Sequence, residues 1–197
     1  VNSETEDRKS VDCPSTVGQY SLLQDTFFTL YKSTSARDKA LADGFKRRQA
    51  FYALVYIVKD EHQPNMEGKI KVFKFGNQLY DILKQSANDP DEPNDFLNIF
   101  TGKTLKLQVT EKSGFNCYTQ SKFMNKVDNL NIDGKSITDS PANRKLLVSW
   151  LKEHSPNLSE YEYKPWDEET RNFVIDVIKA NIPSGVILDK LLKKGGG

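Results

Sequence analysis

Two cysteines and two histidines in 197 residues leave little material for metal or redox chemistry. Cys13 and Cys117 lie far apart, form no CxxC pair and offer no disulfide framework. His62 falls in a polar turn and His154 near a helix end, neither close to a cysteine. The roughly four ligands of a zinc site therefore cannot be assembled, and no cofactor is expected. No apolar run approaches the ~18 residues of a membrane span, and no n-region with an h-region marks a leader. A cytosolic chain without membrane contact is the expectation. Also missing are a GxxxxGK(S/T) phosphate loop, GxSxG, HExxH and an EF-hand loop. The carboxylates gather in turns and helix caps, and neither histidine is positioned by sequence to activate Cys117. These absences argue against an enzyme. No internal repeat is present.

A net charge of +1 withholds any bulk electrostatic signal, yet the charges are segregated. Residues 28–84 hold eleven Lys and Arg against six Asp and Glu, and residues 101–126 hold five against one. Between them lies the acidic block Asp89, Asp91, Glu92 and Asp95. Segregation of this kind builds a local field in a nearly neutral molecule, although solvated faces of alternating sign give the same pattern.

Residues 1–18 read as a polar N-terminal segment. Residues 19–32 are rich in Leu, Phe and Tyr with an ambiguous period, Leu23, Phe27 and Leu30 suggesting a helical stripe. Residues 33–44 are small and polar and read as a long, mobile connection. Residues 51–58 alternate as a strand with two largely apolar faces, Phe51, Ala53, Val55 and Ile57 against Tyr52, Leu54, Tyr56 and Val58. A polar turn with Pro64 and Gly68 leads to a return strand over 69–75, which predicts an antiparallel hairpin. Leu79, Tyr80, Ile82 and Leu83 give a short helix, and residues 86–93 a loop. Residues 104–110 alternate as a strand with Leu105, Leu107 and Val109 inward. After the Ser113-Gly114 break, Phe115, Tyr118, Lys122 and Phe123 fall in a loop. Ser140-Pro141, Asp167 and Ser184 are helix starts, predicting three helices in the last third. The domains expected are a core over 19–130, a helical region over 139–194 and a flexible tail over 195–197.

One combination recurs. Lys46, Arg47 and Arg48 precede Phe51 and Tyr52; Lys71 and Lys74 flank Phe73; Lys106, Lys112 and Lys122 accompany Phe115 and Tyr118. A base stacked on an aromatic ring is worth roughly 1–3 kcal/mol whatever the base, and neighbouring cations neutralise phosphates. Any one of these rings is more readily a packing residue. Three such sets on strands that can pair favour single-stranded nucleic acid as the ligand. The rival is a protein-interaction module whose cations are merely solvated.

These segments, 46–60 (KRRQAFYALVYIVKD), 67–83 (EGKIKVFKFGNQLYDIL) and 101–125 with its SGFxxYxxSKFxN pattern, resemble the core of the T-even-type bacteriophage helix-destabilising single-stranded DNA-binding proteins. The resemblance covers the middle third to half of the chain. It implies an α+β chain with an OB-fold-like antiparallel β-barrel and appended helices, holding single-stranded DNA during phage replication, recombination and repair in the host cytoplasm. It also implies DNA contacts by Lys46, Arg47, Arg48, Phe51, Tyr52, Phe73, Lys74, Phe115 and Tyr118, with Tyr31 matching a further family tyrosine; Lys71, Lys106 and Lys122 are expected contacts from their place beside these rings. Phage replication and recombination proteins are the implied partners; self-association along DNA is left open. The departures are specific. Cys13-Pro14 resembles the start of the family's zinc element, but Thr16 stands where its next cysteine belongs and the other ligands lack counterparts. The family's basic N-terminal arm, first barrel strands and acidic C-terminal tail have no counterpart either, so the barrel is expected to be incomplete.

Overall fold

The computed structural model describes residues 10–182 together with 189, 191 and 193. The expected third helix, from Ser184 through Val186, Ile187, Leu188 and Leu192, and the tail 195–197 lie outside the described residues. The architecture is α+β, and the chain divides into two compact units, residues 1–48 with 162–197 and residues 49–161. The first unit joins segments that are remote in sequence.

In the first unit, α1 (Leu22–Tyr31) starts where Ser21 accepts from the Gln24 amide. Helix α2 (Ala36–Phe45) starts at Ser35, which accepts from the Asp38 amide. Each cap satisfies one of the amides left orphaned by a helix start. The segment expected as a mobile connection is thus mostly helix. It is poorly amphipathic, and Ala42 is its one fully buried side chain. Helix α5 (Glu168–Asn181) is capped by Asp167 as expected, its carboxylate accepting from the Thr170 amide at 2.7 Å. Leu22, Leu30, Ala42, Val174, Ile178, Ile182 and Leu191 form the core.

In the second unit, β1 (Phe51–Tyr56) and β2 (Ile70–Phe75) form the expected antiparallel hairpin, with Phe51 opposite Phe75 and Tyr56 opposite Ile70. Helix α3 (Asn77–Ala87) follows directly. Three further pairs are shorter: β3 (Leu105–Lys106) with β6 (Lys122–Phe123), β4 (Thr110–Lys112) with β5 (Phe115–Cys117), and β7 (Asn131–Ile132) with β8 (Lys135–Ser136). Helix α4 (Pro141–His154) begins at Ser140, as expected, and Leu158–Tyr161 form a 3-10 turn. Leu130, Ile132, Ile137 and Leu147 make this unit's core, with Tyr56, Trp150 and Leu151 against it.

Among the described residues the four strand pairs stay separate and none closes into a barrel. The physical reason is visible in residues 104–110. Leu105 and Lys106 are laddered with β6 and Thr110 already belongs to β4, while between them the Gln108 amide donates to the Ser121 hydroxyl at 3.0 Å, which returns a bond to the Gln108 carbonyl. A side chain thus takes the place of the next rung. Leu107 and Val109, expected inward, are exposed.

Candidate nucleic-acid interface

Alternation on the β1–β2 hairpin sorts the expected contacts onto two faces, because neighbouring strand residues point opposite ways. Phe51, Ala53 and Val55 face the same way as their partners Phe75, Phe73 and Lys71. Tyr52, Leu54 and Tyr56 share the other face with Lys74, Val72 and Ile70. The sequence pairs Phe51–Tyr52 and Phe73–Lys74 therefore belong to different surfaces.

The first face carries a run of rings. Phe73 stacks on Phe75 at 5.7 Å between centroids, Phe75 on Phe51 at 5.6 Å, and Phe51 on Tyr80 of α3 at 4.3 Å with planes 5° apart. Phe75 is buried, Phe51 and Phe73 half-buried, and Tyr80 exposed. Lys71 is exposed on the same face. On the second face Tyr52 is already stacked, on Tyr161 at 4.7 Å, with the Lys74 ammonium 5.6 Å from its ring centre, within cation–π range. At its other end this face packs inward: Tyr56 meets Trp150 edge-on and Ile70 is buried.

Of the residues expected in a loop, Phe115 lies in β5 and Lys122 and Phe123 in β6, while Tyr118 is in the connection just beyond β5. Ser113 and Gly114 both have positive φ, 53° and 77°, the pattern of a type I′ two-residue hairpin turn. That turn lifts Phe115 to the tip of β4–β5, where it is 72% exposed. Tyr118 is half-buried, and its amide donates to Gln78 Oε1 at 2.5 Å. The Gln78 amide group also reaches the Cys117 sulfur at 3.7 Å, so the first turn of α3 holds this hairpin's base. The Cys117 thiol is brought down to about 7, chiefly by the Thr119 hydroxyl. Lys106 and Lys122 are directly opposed across β3–β6, both exposed, and neither joins an ion pair among the described residues. Like charges opposed across a ladder destabilise it, so the pair is a feature that folding alone does not favour. Lys112 is also exposed, opposite Phe115. The acidic block is partly self-contained: Glu92 pairs with Lys103 at 2.8 Å, and Asp89 accepts from the amides of Asp91 and Glu92.

The remaining expected contacts lie in the first unit. Lys46 caps α2, and Lys46, Arg47 and Arg48 are all exposed. Arg47 donates to the Thr16 hydroxyl at 3.2 Å. Tyr31 is 60% exposed on α1 and stacks on Phe27.

The residues present do not fit the zinc that the resemblance brings to mind. The Cys13 sulfur lies 3.1 Å from the Ser15 hydroxyl and 3.3 Å from that of Ser21. Burial pushes this thiol up, but those hydroxyls, the Ser15 backbone and the nearby Arg47 charge bring it below its ordinary value. Thr16 is engaged by a guanidinium rather than offering a thiolate. Among the described residues no three His, Cys, Asp or Glu side chains are grouped to hold a metal ion.

Sequence reasoning missed Tyr80. The helical period puts it in the packing stripe with Leu79, Ile82 and Leu83, whereas Tyr80 is exposed and Leu79 is buried.

Rings on strand and hairpin surfaces with cations beside them are the equipment of a nucleic-acid-binding protein. Comparison with known proteins is specific about the kind. The family model described as gp32 DNA binding protein like matches residues 2–164, and the chain belongs to that family. The single-stranded DNA-binding protein of Enterobacteria phage T2 is 26% identical over 166 residues, 82% of this chain and 53% of that protein. Its counterpart in Enterobacteria phage T4 is 26% identical over 165 residues, with the same coverage. The chain thus spans about half the length of the curated relatives it matches. Among the described residues no helix is long and apolar enough to cross a membrane.

Proposed function

We propose that this chain binds single-stranded DNA without sequence preference and without a catalytic step. The observation that carries the reading is the ring run Phe73, Phe75, Phe51 and Tyr80, with Lys71 on its face. Bases stack at its exposed margin and on Phe115, while Lys106 and Lys122 meet phosphate. Tyr118, half-buried, lines the same surface. Tyr52 and Lys74 form a second stacking position on the opposite face. In the first unit Lys46, Arg47, Arg48 and Tyr31 supply further phosphate and base contacts. Family membership and the printed names of the T2 and T4 relatives support the ligand. Assembly of the strand pairs in an OB-type arrangement, a role in phage replication, recombination and repair with the proteins of those processes, and action in the host cytoplasm belong to the same proposal.

A fluorescence titration with oligo-dT at several salt concentrations tests it. Each phosphate neutralised on a single strand contributes about −0.7 to the slope of log affinity against log salt. Arg47→Gln should flatten that slope, and Phe115→Ala should lower affinity while leaving it unchanged. Binding that is absent or insensitive to salt overturns the proposal and favours a protein-interaction module.

A further inference from the structure

We infer that helix α3 presents a base-stacking position of its own, Tyr80, with Lys84 one turn further on as its phosphate partner. The inference rests on the single-stranded DNA reading and adds to it an element to which the strand motifs assign nothing.

Three observations carry it. First, the Tyr80 ring is the exposed end of a stack. Phe75 is 8% exposed, whereas Tyr80 is 39% exposed and lies nearly parallel to Phe51. A planar base extends such a run with the offset geometry that aromatic pairs favour. Second, the core does not need this ring. Helix α3 packs through Leu79, which is 1% exposed, and through Ile82, Leu83 and Ser86, all half-buried; Tyr80 lies about 100° around the helix from Leu79. Residues three and four apart are helix neighbours, so the exposed Lys84 stands between Tyr80 and Asp81, and it makes no ion pair with Asp81 among the described residues. Third, α3 ties the two aromatic sets of this unit together. Gln78 fixes the base of the hairpin that bears Phe115, and Tyr80 closes the run that contains Phe51 and Phe73. A strand of DNA crossing from one set to the other meets α3 between them.

The test uses the whole chain and oligo-dT. Tyr80→Leu should lower affinity about 5- to 160-fold, the range for losing one stacked base, with an unchanged salt slope. Tyr80→Phe should bind within about twofold of the parent, and Lys84→Gln should reduce the slope by about 0.7. A Tyr80→Leu protein that is folded by circular dichroism and binds like the parent overturns the inference. Should Tyr80→Leu not fold, 4-fluorophenylalanine at position 80 replaces it as the probe. Its fluorine resonance should move on adding oligo-dT, and a resonance that stays put at saturation overturns the inference. If the parent chain itself fails to bind oligo-dT, the underlying reading fails instead, so the two failures are distinguishable.

Discussion

Lys122→Gln should make the protein more stable and a poorer DNA binder. Lys122 and Lys106 face each other directly across β3–β6, so their β-carbons are about 5 Å apart and their ammonium groups can separate to about 7 Å. In water two unit charges at that distance repel by about 0.6 kcal/mol, and physiological salt screens this to about 0.2–0.3 kcal/mol. Relieving the repulsion should raise the melting temperature by about 1 °C for a chain of this size. The same substitution removes one phosphate contact, flattening the salt slope by about 0.7. The parent's advantage over Lys122→Gln should then shrink about threefold between 50 and 200 mM salt. Differential scanning calorimetry and oligo-dT titrations on one preparation give both numbers. A variant that is less stable, or that keeps the parent's slope, refutes the idea that this cation pair is maintained for phosphate.

Tyr161 occupies one face of Tyr52, so Tyr161→Ser should free that ring and tighten oligo-dT binding. An aromatic pair is worth about 0.5–1.5 kcal/mol beyond its buried area, which sets the gain at about 2- to 12-fold. Weaker binding in that variant excludes Tyr161 as an occupant that DNA must displace. Gly102→Ala tests the fold alone. A Cβ there lies 2.7 Å from the Asn98 carbonyl oxygen, 2.8 Å from that of Asp95 and 2.9 Å from Phe96 Cα. All three are backbone atoms, so the loop must shift, at roughly 1–3 kcal/mol of stability in urea unfolding. A loss below about 0.5 kcal/mol contradicts that packing.

What the sequence made legible was the part governed by local rules. The β1–β2 hairpin, α3 and the caps at Ser140 and Asp167 follow from alternation, helical period and capping chemistry, and all are present. Helix α2 was hidden because its ten residues bury little beyond Ala42, leaving too weak a stripe to separate it from a polar linker. Residues 104–110 alternate correctly, yet Ser121 intercepts the Gln108 amide and the ladder stops. That contact spans thirteen residues and leaves no mark on the period. At the candidate site, residue types could be read but not orientation. Phe51 and Tyr52 looked like one stacking pair, whereas the pleat sends them to opposite faces. Ser113 hides its turn because a non-glycine residue at positive φ is uncommon, although Gly114 beside it is the usual partner in such a turn.

The most direct measurement is residue-level photocrosslinking. Oligo-dT carrying 5-iododeoxyuridine is bound at low salt, irradiated and digested, and the modified peptides are sequenced by mass spectrometry. Crosslinks should concentrate on Phe51, Phe73, Tyr80, Phe115 and Tyr118, and should fade together as salt is raised. Crosslinks confined to α4 or α5, with the β1–β2 and β4–β5 hairpins unmodified, contradict this placement of the DNA.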